Sequence, residues 1–371
     1  MKVLFINDTS ASSNWGCQAT SACLKYLVEK FLPGARIDFL ALGKLPYRKF
    51  PFVRRWKESF YAAKSSSLDL EKVLKEFNVH PTAAWQQYDL VFFNGEGMIH
   101  GRSGHAFRLI LLLDYFKRLG VRCVSVNQSV DFKDGDTKFE YLKRVYSRLD
   151  AVNVREPVSF QRLSGVEGVK LTPDAAFYTN SLPEPTGRKC SDMPDLGGNA
   201  IAVFGSSALN KRDVAVMRAL CDAAYKVFDA PRFIFMNSTK TDVALSKSLL
   251  NRFDNSMVVS SDEYGFRDLC NMLQQVKICI GGRFHPTILA ALQGVPTAPL
   301  VGNTHKMEGL AQLLESPVPA LQCQTEMHFY EEYFVGLKGG LSGERERLFS
   351  RAQSLAADVE RDYESLLTAA R

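Results

Sequence analysis

Arg283 and His285 stand two positions apart in the segment "CIGGRFHPTILAALQGVPTAPL" (279–300), just after a short apolar run and two glycines. A fixed cation beside a ring that titrates near neutrality suits an anion that must also gain or lose a proton. Pro286 fits a first helical turn at little cost, so the partial positive charge of a helix N-terminus would add to the arginine. Three further clusters hold residue types of the same kind. In "NDTSASSNWGCQATS" (7–21), Asn14, Gly16 and Gln18 lie in a polar loop opening onto a helix, where backbone N–H groups can face an anion. In "NGEGMIHG" (94–101), Gly95 and Gly97 permit a tight turn or a close ligand approach, while Glu96 and His100 supply a carboxylate and an imidazole. In "NVREPVSFQRL" (153–163), Arg155 is costly to bury unless paired, and its planar fork suits a carboxylate or phosphate. Asp174 of "TPDAAF" could orient Arg155, Gln128 in the strand-like run 122–130 is a further substrate-binding candidate, and Lys306 of "VGNTHKMEGL" offers a second cation. His105 reads as surface. Ordinary turn chemistry would explain the first loop, and a salt bridge from Arg155 to Glu156 or Asp174 would explain the third cluster.

The elements that must carry these residues alternate in type. Strand-like runs at 2–7, 35–42, 88–94, 122–130 and 151–154 are separated by segments with helical spacing of apolar residues. Residues 181–199 hold three prolines and three glycines without periodicity and read as a linker. Beyond it the alternation restarts with strands in "AIAVFGSS", "RFIFMNS", "SMVVSS", "KICIGG" and "TAPLVG". The stretch 343–368 places Leu348, Ala352, Leu355, Ala356, Val359, Tyr363 and Leu366 at helical spacing. Strand–helix alternation predicts parallel βαβ units. The expected architecture is α/β, with two Rossmann-like domains facing a cleft (1–180 and 200–340) and a closing amphipathic helix (341–371). Every candidate residue then falls near the carboxyl end of a strand, where such sheets bind ligands.

Bulk properties bound the chemistry. The chain has 371 residues, 46% hydrophobic and 23% charged, enough for two cores. Its net charge of +6 is spread along the sequence rather than gathered into the dense basic stripe of a nucleic-acid binder. That balance suits anionic small substrates or peripheral contact with an anionic membrane surface. Eight scattered cysteines show no metal-ligand spacing, and several lie in apolar runs as small hydrophobes. The opening "MKVLFIN" is too short for a signal peptide core, and the run "LILLLDYF" is far short of a membrane span. These features point to a cytoplasmic protein, with contact at the inner face of the membrane as a further expectation.

Taken in order, "NWGCQAT", "NGEGMIH", "VREPVSFQRL", "PDAAF", "GGRFHPTILAALQGVPTAPL" and "HKMEGL" resemble the polysaccharide pyruvyl transferase family, over about residues 1–315. Many members carry GD after the N-terminal Asn and GGG in the second cluster. Here those stretches read Asn14-Trp15-Gly16-Cys17 and Gly95-Glu96-Gly97. The resemblance implies a GT-B-like fold and transfer of enolpyruvate from phosphoenolpyruvate to sugar hydroxyls as a ketal. The acceptor would be a glycan or its lipid-linked precursor, with no metal and no cofactor beyond the donor. It also implies that Arg283 binds the donor anion, that His285 is the catalytic imidazole, and that Arg155 clamps phosphate or carboxylate. Glu96 or His100 would act as base or orient the acceptor. A glycosyltransferase of the same fold, holding a nucleotide sugar's diphosphate with the R-x-H pair, is the competing reading. A catalytically inactive regulatory or scaffold protein is the third.

Overall fold

The structure, a computed structural model, describes residues 1–40, 42, 49–184, 193–210, 213–317 and 320–369. The chain divides into two compact units, each built on its own parallel sheet. Unit 1 comprises Met1–Asp8, Leu27–Asp174 and the tail from Arg361; unit 2 comprises Thr9–Tyr26 and Ala175–Glu360. The division does not follow sequence order, because the polar loop and the first turns of the first helix group with unit 2. Of the segment expected as a linker, residues 185–192 lie outside the described residues.

The strands of unit 1 are β1 (Lys2–Ile6), β2 (Arg36–Leu40), β3 (Leu90–Asn94), β4 (Ile99–His100), β5 (Arg122–Gln128), β6 (Val130–Asp131), β7 (Ala151–Val154) and β8 (Val169–Leu171). Six of them form a sheet in the order β2-β1-β3-β5-β7-β8, with every pairing parallel. The central strands read as unbroken apolar runs because helices cover both faces. Val3, Phe5, Ile6 and the residues Leu90–Phe93 are fully buried. Strands β4 and β6 form a small parallel pair of their own.

Unit 2 contains β9 (Ala200–Ser206), β10 (Arg232–Asn237), β11 (Met257–Ser260), β12 (Ile278–Gly282) and β13 (Thr297–Pro299), in the order β11-β10-β9-β12-β13. All of these pairings are also parallel. In each sheet the order reverses direction beside its first strand, between β1 and β3 and between β9 and β12. Such a switch point opens a crevice outside the carboxyl ends of the strands.

The expected strands are present within a few residues of their bounds. The last helix runs Leu341–Thr368, and its buried stripe ends on Leu367 rather than on Leu366. Helices at Pro51–Ala63, Thr137–Tyr146 and Met327–Gly339 went unread in the sequence. No disulfide joins the described cysteines. Burial pushes the Cys123 and Cys270 thiols up to about 12, as expected for cysteines that act as packing hydrophobes. Among the described residues, no helix is long and apolar enough to cross a membrane.

Candidate active site

In unit 2 the segment around Arg283 forms a tight strand-to-helix junction. Gly281 has φ of 132°, and a Cβ there would run into the carbonyl of Phe204 on the neighbouring strand. The chain then enters the helix Phe284–Leu292, with Arg283 as its N-cap residue and His285 and Pro286 in its first turn. His285 is partly exposed, and its Nε2 lies 3.1 Å from the Thr20 hydroxyl. Thr20 can donate or accept, so the contact holds the ring in either tautomer. Gly16 packs directly against this ring, and a Cβ built on Gly16 would overlap His285.

That packing depends on how the first helix, Trp15–Phe31, begins. Asn14 Oδ1 accepts from the Gly16 N–H at 2.9 Å, a side-chain cap on an otherwise orphan donor. Gln18 Nε2 donates to the Ser12 carbonyl at 3.0 Å and closes the loop onto the helix. The Trp15 indole N–H donates to the Tyr264 carbonyl at 2.6 Å. Asn14 and Gln18 therefore shape the loop, while Gly16 and Thr20 meet the imidazole.

The Arg283 guanidinium is already half committed. Nη2 donates to Asp242 Oδ1 at 2.7 Å and to Thr239 Oγ1 at 2.8 Å, and Nε reaches Asp242 Oδ1 at 3.2 Å. Asp242 is buried in the first turn of the helix Lys240–Leu249, which Thr239 caps. Its Oδ2 also accepts from the Thr239 hydroxyl at 2.8 Å. Asp242 and Thr239 were missed in the sequence, although "STKTD" after a strand carries the Thr-x-x-Asp spacing of a capping box. Nη1 donates to no described residue, so the fork is held on one side and open on the other. Lys306 begins the helix Lys306–Leu313 and is partly exposed. In the preceding loop and that helix, Asn303 Oδ1 and Glu308 Oε2 are buried without a hydrogen-bond donor among the described residues.

Unit 1 carries a separate polar cluster at its own switch point. Asn7, Glu96 and Asn127, which follow or close β1, β3 and β5, have φ of 67°, 40° and 63°. Left-handed backbone at non-glycine residues is strained and recurs at functional sites. Asn7 Nδ2 donates to the Asn94 carbonyl at 2.7 Å, and Asn94 Nδ2 donates to Glu96 Oε1 at 2.9 Å. A Cβ on Gly95 would overlap Gln128, and Gly97 lies in the turn between β3 and β4. Gln128 is fully buried, with its amide turned back onto Ser125, so it supports the cluster by packing.

Arg155 is 1% exposed. Its Nη1 donates to Asp174 at 2.8 Å and its Nε to the Ser129 hydroxyl at 2.9 Å. Of the two partners the sequence offered, Asp174 holds the arginine. Glu156 instead caps the helix Pro157–Arg162, accepting from the Ser159 N–H at 3.0 Å. A buried guanidinium paired in this way positions its surroundings and does not present its fork to solvent. His100 lines an open cavity of about 800 Å³ together with Arg55, Arg102, Asp131, Lys133 and Lys138, and Glu96 is not among the lining residues. His105 is half-buried beside Arg108, 2.9 Å from Nη2, rather than on the surface. Burial first, then Arg108 and Arg54, hold its pKa below the usual histidine value. Among the described residues, no three His, Cys, Asp or Glu side chains stand close enough together to hold a metal ion.

Two parallel doubly wound units, with basic and imidazole chemistry at a strand-to-helix junction, define a GT-B-like α/β protein. Solved structures with this fold include the UDP-GlcNAc 2-epimerase of Neisseria meningitidis bound to UDP-GlcNAc. It is 12% identical with a TM-score of 0.62, covering 99% of this chain and 100% of that one. Arabidopsis thaliana UGT89C1 complexed with UDP-L-rhamnose is 10% identical with a TM-score of 0.59, covering 100% and 98%. The glycosyltransferase SnogD of Streptomyces nogalater is 15% identical with a TM-score of 0.54, covering 99% of each chain. At these identities the likeness carries the fold alone. Curated proteins give no match. Residues 14–304 match the family described as polysaccharide pyruvyl transferase, and the chain belongs to that family.

Proposed function

We propose that this chain transfers the enolpyruvyl unit of phosphoenolpyruvate to a sugar hydroxyl of a glycan or its lipid-linked precursor, closing a pyruvyl ketal. The observation that carries the proposal is the pairing of an open guanidinium edge with a fixed, solvent-reachable imidazole at one helix N-terminus. The donor carries a carboxylate and a phosphate. Arg283 Nη1, the helix N-terminus and Lys306 are the cationic groups proposed to meet them. His285 delivers a proton to the methylene carbon, leaving an electrophilic centre at C2. A sugar hydroxyl adds there and gives up its proton to the His285 imidazole that the first step has just freed. A second hydroxyl then displaces phosphate, and its proton leaves with the phosphate. Glu96 is proposed as the carboxylate that orients the acceptor, with His100 as an outer group in the adjoining cavity. Arg155 and Asp174 act as a buried positioning pair. The chemistry needs only these residues and the donor, and the reaction is assigned to the cytoplasmic side, where phosphoenolpyruvate is made.

A second reading, transfer from a nucleotide sugar, draws on Asn303 and Glu308. Their orphan oxygens ask for a hydrogen-bond donor. Ribose or sugar hydroxyls would satisfy them, whereas fully ionised phosphoenolpyruvate has no donor to offer. Phosphate release from phosphoenolpyruvate, assayed against a panel of glycan and lipid-linked acceptors, tests the first reading. Acceptor-dependent release that is lost in His285→Ala supports it. Consumption of a nucleotide sugar by the same protein, without any phosphate release, replaces it with the second.

A further inference from the structure

The helix Pro51–Ala63 is amphipathic in the inverted sense. Its inward face carries Glu58 and Ala62, both buried, while its outward face is aromatic. Phe52 is 83% exposed, Trp56 66% and Phe60 39%, with Val53 and the preceding Phe50 also exposed. Phe52, Trp56 and Phe60 follow one another at intervals of four and so line a single stripe. Trp56 stacks on Phe60 with ring centroids 5.5 Å apart, and the Lys64 ammonium sits 4.7 Å from the Phe60 ring. A contiguous exposed patch of this kind marks an interaction surface.

The charges around the stripe say what covers it. Residues 49–64 hold five cations and one carboxylate. That carboxylate, Glu58, is 1% exposed and faces inward to Lys138 at 3.3 Å and Arg54 at 3.4 Å. Lys57 pairs with Glu76. Lys49, Arg55 and Lys64 are exposed and enter no ion pair among the described residues. An apolar aromatic stripe edged by unpaired cations is the pattern of a helix lying in a membrane interface. There the rings enter the headgroup boundary and the cations meet anionic lipid. A second copy of this chain would bring the same cations against one another. We infer that the helix Pro51–Ala63 docks this protein on an anionic lipid bilayer. Arg55 and Ser59 of this helix also line the cavity that holds His100, so the docking face borders a cleft. The inference is independent of the donor, and its test uses no turnover.

The test is sedimentation of the full chain with vesicles of phosphatidylcholine, alone or mixed with phosphatidylglycerol, alongside tryptophan emission. Trp15 and Trp85 are buried, so a change in emission reports on Trp56. The expected result is binding to the phosphatidylglycerol vesicles, weakened by salt, with a blue shift in emission. Phe52→Glu/Phe60→Glu should lower the bound fraction by about tenfold or more with an unchanged melting temperature. Arg55→Glu/Lys64→Glu should remove the preference for phosphatidylglycerol. Three results would overturn the inference: a parent chain that stays in the supernatant, aromatic variants that bind as well as the parent, or a stripe-dependent dimer that forms without vesicle binding.

Discussion

Gly16 lacks a side chain where the His285 ring lies against it, and this contact makes the loop before the first helix part of the imidazole's setting. Gly16→Ala should therefore displace the ring, with a loss in kcat of about a hundredfold, the order expected when a catalytic group moves by about an ångström. The fold should survive, because Ala favours a helix more than Gly does. Thr20→Val removes the hydroxyl contact to Nε2 and should cost less, about tenfold. Steady-state kinetics with matched melting curves separate these effects from instability. The Arg155–Asp174 pair makes the opposite prediction. Both groups are buried, so Asp174→Ala takes the counter-charge from a buried guanidinium and should cost about 3–5 kcal/mol in urea unfolding. If Arg155 instead clamped substrate, Arg155→Lys would raise KM at nearly unchanged stability.

At the level of elements, the helix Pro51–Ala63 is anchored through a buried carboxylate whose charge is a net burden. Burial raises the Glu58 pKa above its ordinary value, and the attractions of Lys138 and Arg54 do not offset it. A raised folded pKa means that the native state holds the proton more tightly than the unfolded chain. The stabilising contribution is thus full below the unfolded value of 4.5 and is lost as pH rises through the folded one. Compared with Glu58→Gln, the parent should lose ground steadily as pH rises across that window in urea melts. A constant offset from the unpaired Lys138 does not alter the slope. This helix went unread in the sequence although Phe52, Trp56 and Phe60 recur at helical spacing, a stripe that the structure turns outward instead of into the core. The strands were legible because parallel sheets buried on both faces write themselves as continuous apolar runs. The R-x-H junction was legible for a similar reason, its glycines and proline marking the turn. Asp242 and Thr20 were not, because each reaches its partner from an element far away in the chain. Glu156 adjoins Arg155 in sequence and Asp174 lies 19 residues further on, and only the geometry separates the helix cap from the ion partner.

Over the whole molecule, each unit presents polar chemistry at the switch point of its own sheet, Asn7, Asn94 and Glu96 in one and Arg283 and His285 in the other. The family assignment and the fold leave the donor as the decisive question, and binding answers it without knowledge of the acceptor. A ligand at a hundredfold excess over its Kd stabilises the native state by about 2.7 kcal/mol, enough to move a melting curve by several degrees. The most direct measurement is therefore the melting temperature of the full chain with phosphoenolpyruvate and, in parallel, with a panel of nucleotide sugars. The account predicts a rise with phosphoenolpyruvate that disappears in Arg283→Ala. A rise with a nucleotide sugar and none with phosphoenolpyruvate would contradict it.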